Sequence, residues 1–171
     1  MKNRILLALL LLSGSLHAQG ETDEPGFIKI VQRANPLYLS VQGITSVSGK
    51  PNTITYPLVT NITTEQPGYP SIKGQSIVMT VEIDCQTGQG RAYGMRVHSQ
   101  HFGRGRLVHN FTATDGEETI NLPELYKQPN TSIYLVSTAI ACQKVGKPLA
   151  GDPEILRDIL NGRGRSTSPW Q

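Results

Sequence analysis

The chain has only two cysteines, and the first of them, Cys85, directly follows the strongest strand signal in the sequence. In residues 76–84, Ile77, Met79, Val81 and Ile83 alternate with a row that includes Ser76, Thr80, Glu82 and Asp84. That two-residue period belongs to a half-buried strand, with one face on a core and the other toward water. Glu82 and Asp84 are therefore expected on a solvated face rather than as a catalytic carboxylate pair. Pairing Cys85 with Cys142 would close the middle of the chain into a loop, which the chain-entropy relation values at about 4 kcal/mol.

Whether the cysteines pair depends on the compartment, and the N-terminus speaks to that. Residues 1–18 have the three-part pattern of a secretory signal: Lys2 and Arg4, an apolar run over residues 5–12, and Leu16-His17-Ala18 as a cleavage site before Gln19. The run is too short to span a bilayer. The site lacks the cysteine a lipoprotein would carry, so a soluble exported protein is expected, in the periplasm or at the cell surface. Such compartments are oxidising, which favours one structural disulfide between Cys85 and Cys142. No Cys-x-x-Cys pair is present to suggest a redox enzyme.

Removing the signal leaves 14 basic and 13 acidic residues. That balance carries no electrostatic footprint for nucleic acid. The remaining 153 residues are the size of one domain.

Along the chain, residues 19–26 read as a polar flexible leader. Strand signals follow over 27–32, 37–44 and 53–63, the last interrupted by Pro57, which predicts a sheet edge or a bulge there. After a proline- and glycine-rich loop at 65–71 comes the 76–84 strand. A glycine turn at 87–90 leads back into residues 91–99, where Tyr93, Met95 and Val97 alternate with Arg96 and His98. A loop over 100–105 precedes a further strand at 106–113. Residues 27–113 thus predict an antiparallel meander of about six strands.

Residues 131–142 are ambiguous by periodicity: Ile133, Val136 and Ile140 suit a helical face, whereas Tyr134, Val136, Thr138 and Ile140 alternate. Residues 152–160 predict a short helix with Asp152 as cap and Pro153 in its first turn, ahead of a disordered tail. The organisation expected is therefore a single α+β domain at 27–142 and a C-terminal extension at 143–171.

Few groupings suggest chemistry. His98, His101 and His109 are the only candidate metal cluster, with His98 and His109 facing each other across the 99–108 loop; no cysteine or carboxylate completes a zinc set, and solvated loop histidines are the better reading. Gly103-Arg-Gly-Arg106 recurs as Gly162-Arg-Gly-Arg165, so Arg104, Arg106, Arg163 and Arg165, together with Arg91, are candidates for gripping carboxylate, sulfate or phosphate groups. No nucleophile elbow, paired-carboxylate signature or phosphate loop is present, so no enzyme activity and no cofactor are expected.

The segment from Val81-Glu-Ile-Asp-Cys85 to Ala139-Ile-Ala-Cys142 resembles the surface-adhesin protein E family of Gram-negative exported proteins. There a strand ending in Asp-Cys is followed by a basic and aromatic hairpin, here Arg91-Ala-Tyr93, and by a proline-introduced helix ending in the second cysteine, here from Pro129 to Cys142. The resemblance implies a six-stranded antiparallel sheet with a C-terminal helix packed on it over residues 27–142. It implies that 131–142 is that helix, tied by the disulfide, and that the protein acts at the bacterial surface and forms a homodimer. Characterised members bind host matrix and plasma proteins such as vitronectin and laminin. The alternative is an envelope accessory or assembly subunit binding a bacterial protein through a sheet edge near Pro57 or through the C-terminal helix and tail.

Overall fold

Three long alternating stretches pair side by side to make the centre of an antiparallel sheet. The computed structural model describes residues 24–65, 72–111, 117–125, 132–151 and 157–158. The signal segment 1–18, most of the leader and most of the 152–171 extension, Arg163 and Arg165 included, lie outside the described residues. In chain order the elements are β1 (Phe27–Val31), β2 (Leu37–Ser40), β3 (Thr45–Ser46), β4 (Thr53–Asn61), β5 (Ser76–Asp84), β6 (Gln89–His98), β7 (Leu107–Asn110), β8 (Glu118–Asn121), α1 (Leu122–Leu125) and α2 (Ser132–Lys144). The sheet runs β1-β2-β4-β5-β6-β7, with β3 on β4 and β8 on β6. The expected six-strand meander is there, and two short strands add to it.

Register assigns the faces. Tyr56 sits opposite Val81 and Ile54 opposite Ile83 across β4 and β5, Ala92 opposite Val81 across β5 and β6, and Ile120 opposite Gly90 across β6 and β8. Directly opposed residues share a face. These residues therefore form one apolar surface, and α2 lies on it with Leu135, Ala139 and Cys142 in the same buried cluster. Residues 131–142, ambiguous by pattern, are resolved as helix from Ser132. The buried stripe includes Leu135, Thr138, Ala139 and Cys142 at helical spacing, with Ser137 and Ala141 buried beside them, while Ile133, Val136 and Ile140 are only half buried.

The stripe includes a hydroxyl because the sheet supplies it with a partner. Tyr56, wholly buried, places its hydroxyl 2.8 Å from Thr138 Oγ1 and 3.0 Å from Ser137 Oγ. Burial pushes the phenol up to about 12, partly offset by those hydrogen bonds. On the rim, Tyr134 donates to Glu118 Oε2 at 2.7 Å. Its own ionisation is pushed well above the ordinary value by burial first and by the Glu118 carboxylate second.

The disulfide joins Cys85, just beyond β5, to Cys142 near the end of α2, and both residues are buried. The segment after α2 folds back over this junction. Lys147 N–H donates to the Cys142 carbonyl at 2.9 Å, Ala150 N–H donates to the Cys85 carbonyl at 2.8 Å, and Leu149 is buried. Asp84 serves the turn that follows β5, accepting the N–H groups of Gln86 and Thr87 at 2.8 Å each.

Two local expectations are corrected. Pro57 lies neither at an edge nor at a bulge: it is inside β4, opposite Thr80 of β5. On its other side β4 pairs with β2 only from Leu58 onward and with β3 only at Ile54 and Thr55. The missing N–H thus falls in the gap between two partner strands, where no ladder bond is needed. The connection there packs tightly, since a Cβ on Gly43 would come within 2.4 Å of the Pro57 ring. The second correction concerns β6. Val78 pairs with Arg96 but Thr80 with Tyr93, leaving Gly94 and Met95 together opposite Met79. Gly94 has φ 65°, the left-handed conformation that a glycine bulge requires. The bulge breaks the alternation of Tyr93, Met95 and Val97. Val97 opposes Ile77 on the helix face, while Tyr93 and Arg96 share the other.

Candidate functional site: the basic loop and the open sheet edge

The sheet face away from α2 is also covered at one end. The loop between β6 and β7 begins with a 3₁₀ turn, His101–Gly103, and its central ring, Phe102, packs between Phe27 and Tyr38 with centroids 5.0 Å from each. Three polar contacts fix the backbone around that ring. Asn61 Oδ1 accepts the Phe102 N–H at 2.8 Å, Ser76 Oγ accepts the Gly103 N–H at 2.9 Å, and the same hydroxyl donates to the Gln100 carbonyl at 2.6 Å. Phe102 holds φ 60°, a left-handed conformation unusual outside glycine. Such a conformation persists only where its surroundings over-determine it. Ser76 and Asn61, polar residues in strand sequence, are buried because they carry this loop.

Among the described arginine candidates, Arg91 stands apart from Arg104 and Arg106. Arg104 pairs with Glu24 and lies over the Phe102 ring, 5.8 Å from its centroid. Arg106 is exposed immediately before β7. Arg91 lies near the opposite end of β6, about 20 Å from this loop at the usual rise per strand residue. There it is held by Glu82 at 3.2 Å and Glu117 at 3.3 Å, and it packs on the Tyr93 ring at 4.8 Å.

Glu82 is thus not simply a solvated carboxylate. Lys50 reaches it at 2.7 Å, and only 14 % of its side chain is exposed. The Lys50 hydrogen bond above all, aided by Arg91, holds its carboxyl below the usual range despite burial. Arg91 is correspondingly held above its ordinary value, chiefly by its hydrogen bond to Glu82. These groups line an open depression of about 330 Å³ with Thr53, Asp84 and Thr119. The charges there are spent largely on one another.

The histidines do not converge. Register places His109 opposite Val97 and His98 opposite Leu107, so His98 and His109 project from opposite faces and do not face each other. His109 packs on Phe111 at 4.3 Å, and His101 Nε2 lies 3.4 Å from the Ile62 carbonyl oxygen. Among the described residues no group of three or more His, Cys, Asp or Glu is placed to hold a metal ion.

What pattern reading missed is the place of β7 at the end of the sheet. It ends the sheet, all four of its residues are exposed, and it begins with Leu107 at 51 % exposure and Val108 at 44 %. Phe111 follows at 36 %, and these three are the exposed large hydrophobic residues among those described. The sequence did contain the strand at 106–113. That no described strand pairs with its outer side depends on where the other strands and the 101–103 turn sit, which no local pattern encodes.

Fold and surface together define a disulfide-clamped α+β domain: an antiparallel sheet, a helix riveted across it and, among the described residues, an end strand with exposed apolar side chains. Surface-adhesin protein E is the family whose model matches residues 31–143, and the chain belongs to that family. Among solved structures it is similar to protein E of Haemophilus influenzae in crystal form II, with 18 % identity, TM-score 0.54, and coverage of 72 % of this chain and 92 % of that one. The protein E structure from non-typeable Haemophilus influenzae has 18 % identity and TM-score 0.54, covering 84 % of this chain and 95 % of that one. No curated protein matches the sequence. Among the described residues no helix is long and apolar enough to cross a membrane.

Proposed function

We propose that this protein is an exported, non-enzymatic adhesin that binds a host matrix or plasma protein, of the kind vitronectin and laminin represent, through the β7 edge. Membership of the surface-adhesin protein E family supports the class of function. The signal pattern in residues 1–18 and the buried disulfide support export into an oxidising compartment. The observation that carries the choice of surface is the exposure of Leu107 and Val108 on β7, at the end of the sheet, and of Phe111 directly after it. Exposed apolar residues on an edge strand support an interaction site there.

For the alternative, an envelope accessory binding a bacterial partner, Pro57 lies inside the sheet, which leaves the β7 edge or the C-terminal extension as its contact. Cell fractionation with protease treatment of intact cells separates the two. An adhesin is cleaved by external protease and retains immobilised matrix proteins. Protection from protease, with capture of an envelope protein instead, would reverse the choice.

A further inference from the structure

We infer that β7 receives an extended, acidic segment of its protein partner as an added β-strand, an inference that rests on the β7 edge being the binding surface. Three observations converge on that occupant. The first is the backbone. Phe111 donates its N–H inward to the Met95 carbonyl at 2.9 Å, so by the alternation of an antiparallel ladder the N–H and C=O of Asn110 point away from the sheet. No described strand pairs with that outer side. An outward-pointing donor and acceptor on an edge strand is a template for a further strand.

The second observation is charge. From residue 86 to residue 114 the chain carries four arginines and three histidines and no aspartate or glutamate. Arg91 is neutralised at the far end of β6 by Glu82 and Glu117, and Arg104 is met by Glu24. Arg106 stands exposed immediately before β7, and His109 is exposed within it. An incoming strand that carries carboxylates meets no like charge along this hairpin, whereas a basic one meets repulsion.

The third is the apolar surface. Leu107, Val108 and Phe111 would stay in water beneath a sulfated polysaccharide, which also has no peptide groups to pair with Asn110. Register puts Leu107 on the face of His98 and Phe111 on the opposite one, so the apolar row of an added alternating strand covers one of these faces while its backbone meets Asn110. The register shift within β7, which leaves Val108 out of the ladder with β6, narrows the regular outer edge to the stretch around Asn110. Addition in a single register follows from that restriction.

The test uses the full chain, isotopically labelled, and an eight-residue synthetic peptide of alternating Glu and Val with blocked termini. Its companions are the same peptide with Lys for Glu, and the Glu peptide N-methylated at alternate residues. The acidic peptide is expected to slow amide exchange at Asn110 and to move the resonances of residues 107–111. N-methylation is expected to abolish both effects, and Arg106→Glu to weaken binding by about tenfold. Arg106 is exposed, and a thermal melt confirms that the variant is folded. Equal binding of the lysine peptide, retained binding of the N-methylated peptide, or responses centred on Lys50 and Arg91 would overturn the inference. So would protection of Asn110 that rises with protein concentration alone, which would assign the edge to a second copy of this chain. If the wild-type protein binds matrix protein while the acidic peptide leaves Asn110 unprotected, strand addition falls and the adhesin reading stands.

Discussion

The hydroxyl of Tyr56 on β4 lies 2.8 Å from Thr138 Oγ1 and 3.0 Å from Ser137 Oγ on α2, and all three residues are fully buried. Each hydroxyl satisfies another in a place water does not reach, so the contact fixes where along the sheet the helix rests. Removing the Tyr56 hydroxyl takes a partner from both helix hydroxyls, while Ser137 keeps its 3.3 Å bond to the Tyr134 carbonyl.

Tyr56→Phe is therefore expected to destabilise the protein by about 1–3 kcal/mol, the cost of leaving buried polar groups unpaired. Urea unfolding measures it. Adding Ser137→Ala and Thr138→Ala to Tyr56→Phe should cost less than those changes cost in the wild type, because their partner is already gone. Purely additive effects would contradict the network.

The disulfide closes a loop across 57 residues of sequence. A Cys85→Ser, Cys142→Ser protein is expected to lose about 4 kcal/mol on the chain-entropy relation. The loss should be felt first in α2 and in the 147–150 segment, whose N–H groups bond to the carbonyls of Cys142 and Cys85. Amide exchange resolves this: faster opening confined at first to α2 and Ala150 is the expected pattern, and a melting temperature equal to wild type would refute it.

How much of this was legible in the sequence differs from element to element. The row Ile77, Met79, Val81, Ile83 announced β5 because a sheet with one apolar face imposes a period of two, and Met79, Val81 and Ile83 do pack in the cluster that holds α2. Helix α2 was not legible by period, since its buried stripe includes Thr138 and Ala139, which contribute little hydropathy. Only the resemblance to the family, through Cys85 and Cys142, favoured helix there. Pro57 misled because the rule for proline concerns a missing N–H, and a gap between β2 and β3 removes the need for it. Of the candidate site, the arginines were visible as residue types, but their ion pairs with Glu24, Glu82 and Glu117 are tertiary. The β7 edge was visible as a strand and invisible as an edge.

Glu82 gives a pH prediction with a definite sign. Its carboxyl is held below the usual range by Lys50 and Arg91, so its contribution is present above the unfolded value, near 4.3, and is lost as pH falls through the lower folded value. Glu82→Gln should be modestly less stable than wild type at pH 7, with the difference closing below about pH 4. Denaturant midpoints for the two proteins across pH 3–7 check it. A gap that widens on acidification would contradict the assignment.

Phe102 anchors the loop that leads into β7, between Phe27 and Tyr38. Phe102→Ala is expected to cost about 1–3 kcal/mol, less than a fully buried ring, because Phe102 is only half buried. Crystallographic or exchange data on the variant should show residues 101–106 released while β5 and α2 stay unchanged. An unaltered loop would mean that Asn61 and Ser76 suffice to hold it.

The central claim is that the β7 edge is the binding surface, and the most direct measurement is the affinity for immobilised matrix protein of the wild type, of Leu107→Asp with Val108→Asp, and of Arg91→Ala. Leu107 and Val108 are exposed, so the double variant should melt close to wild type. Loss of binding by tenfold or more in the double variant, with Arg91→Ala near wild type, is the predicted result, since a charge in a desolvated apolar contact is costly. Undiminished binding by the double variant, or loss confined to Arg91→Ala, would place the surface at the other end of the sheet and contradict the account.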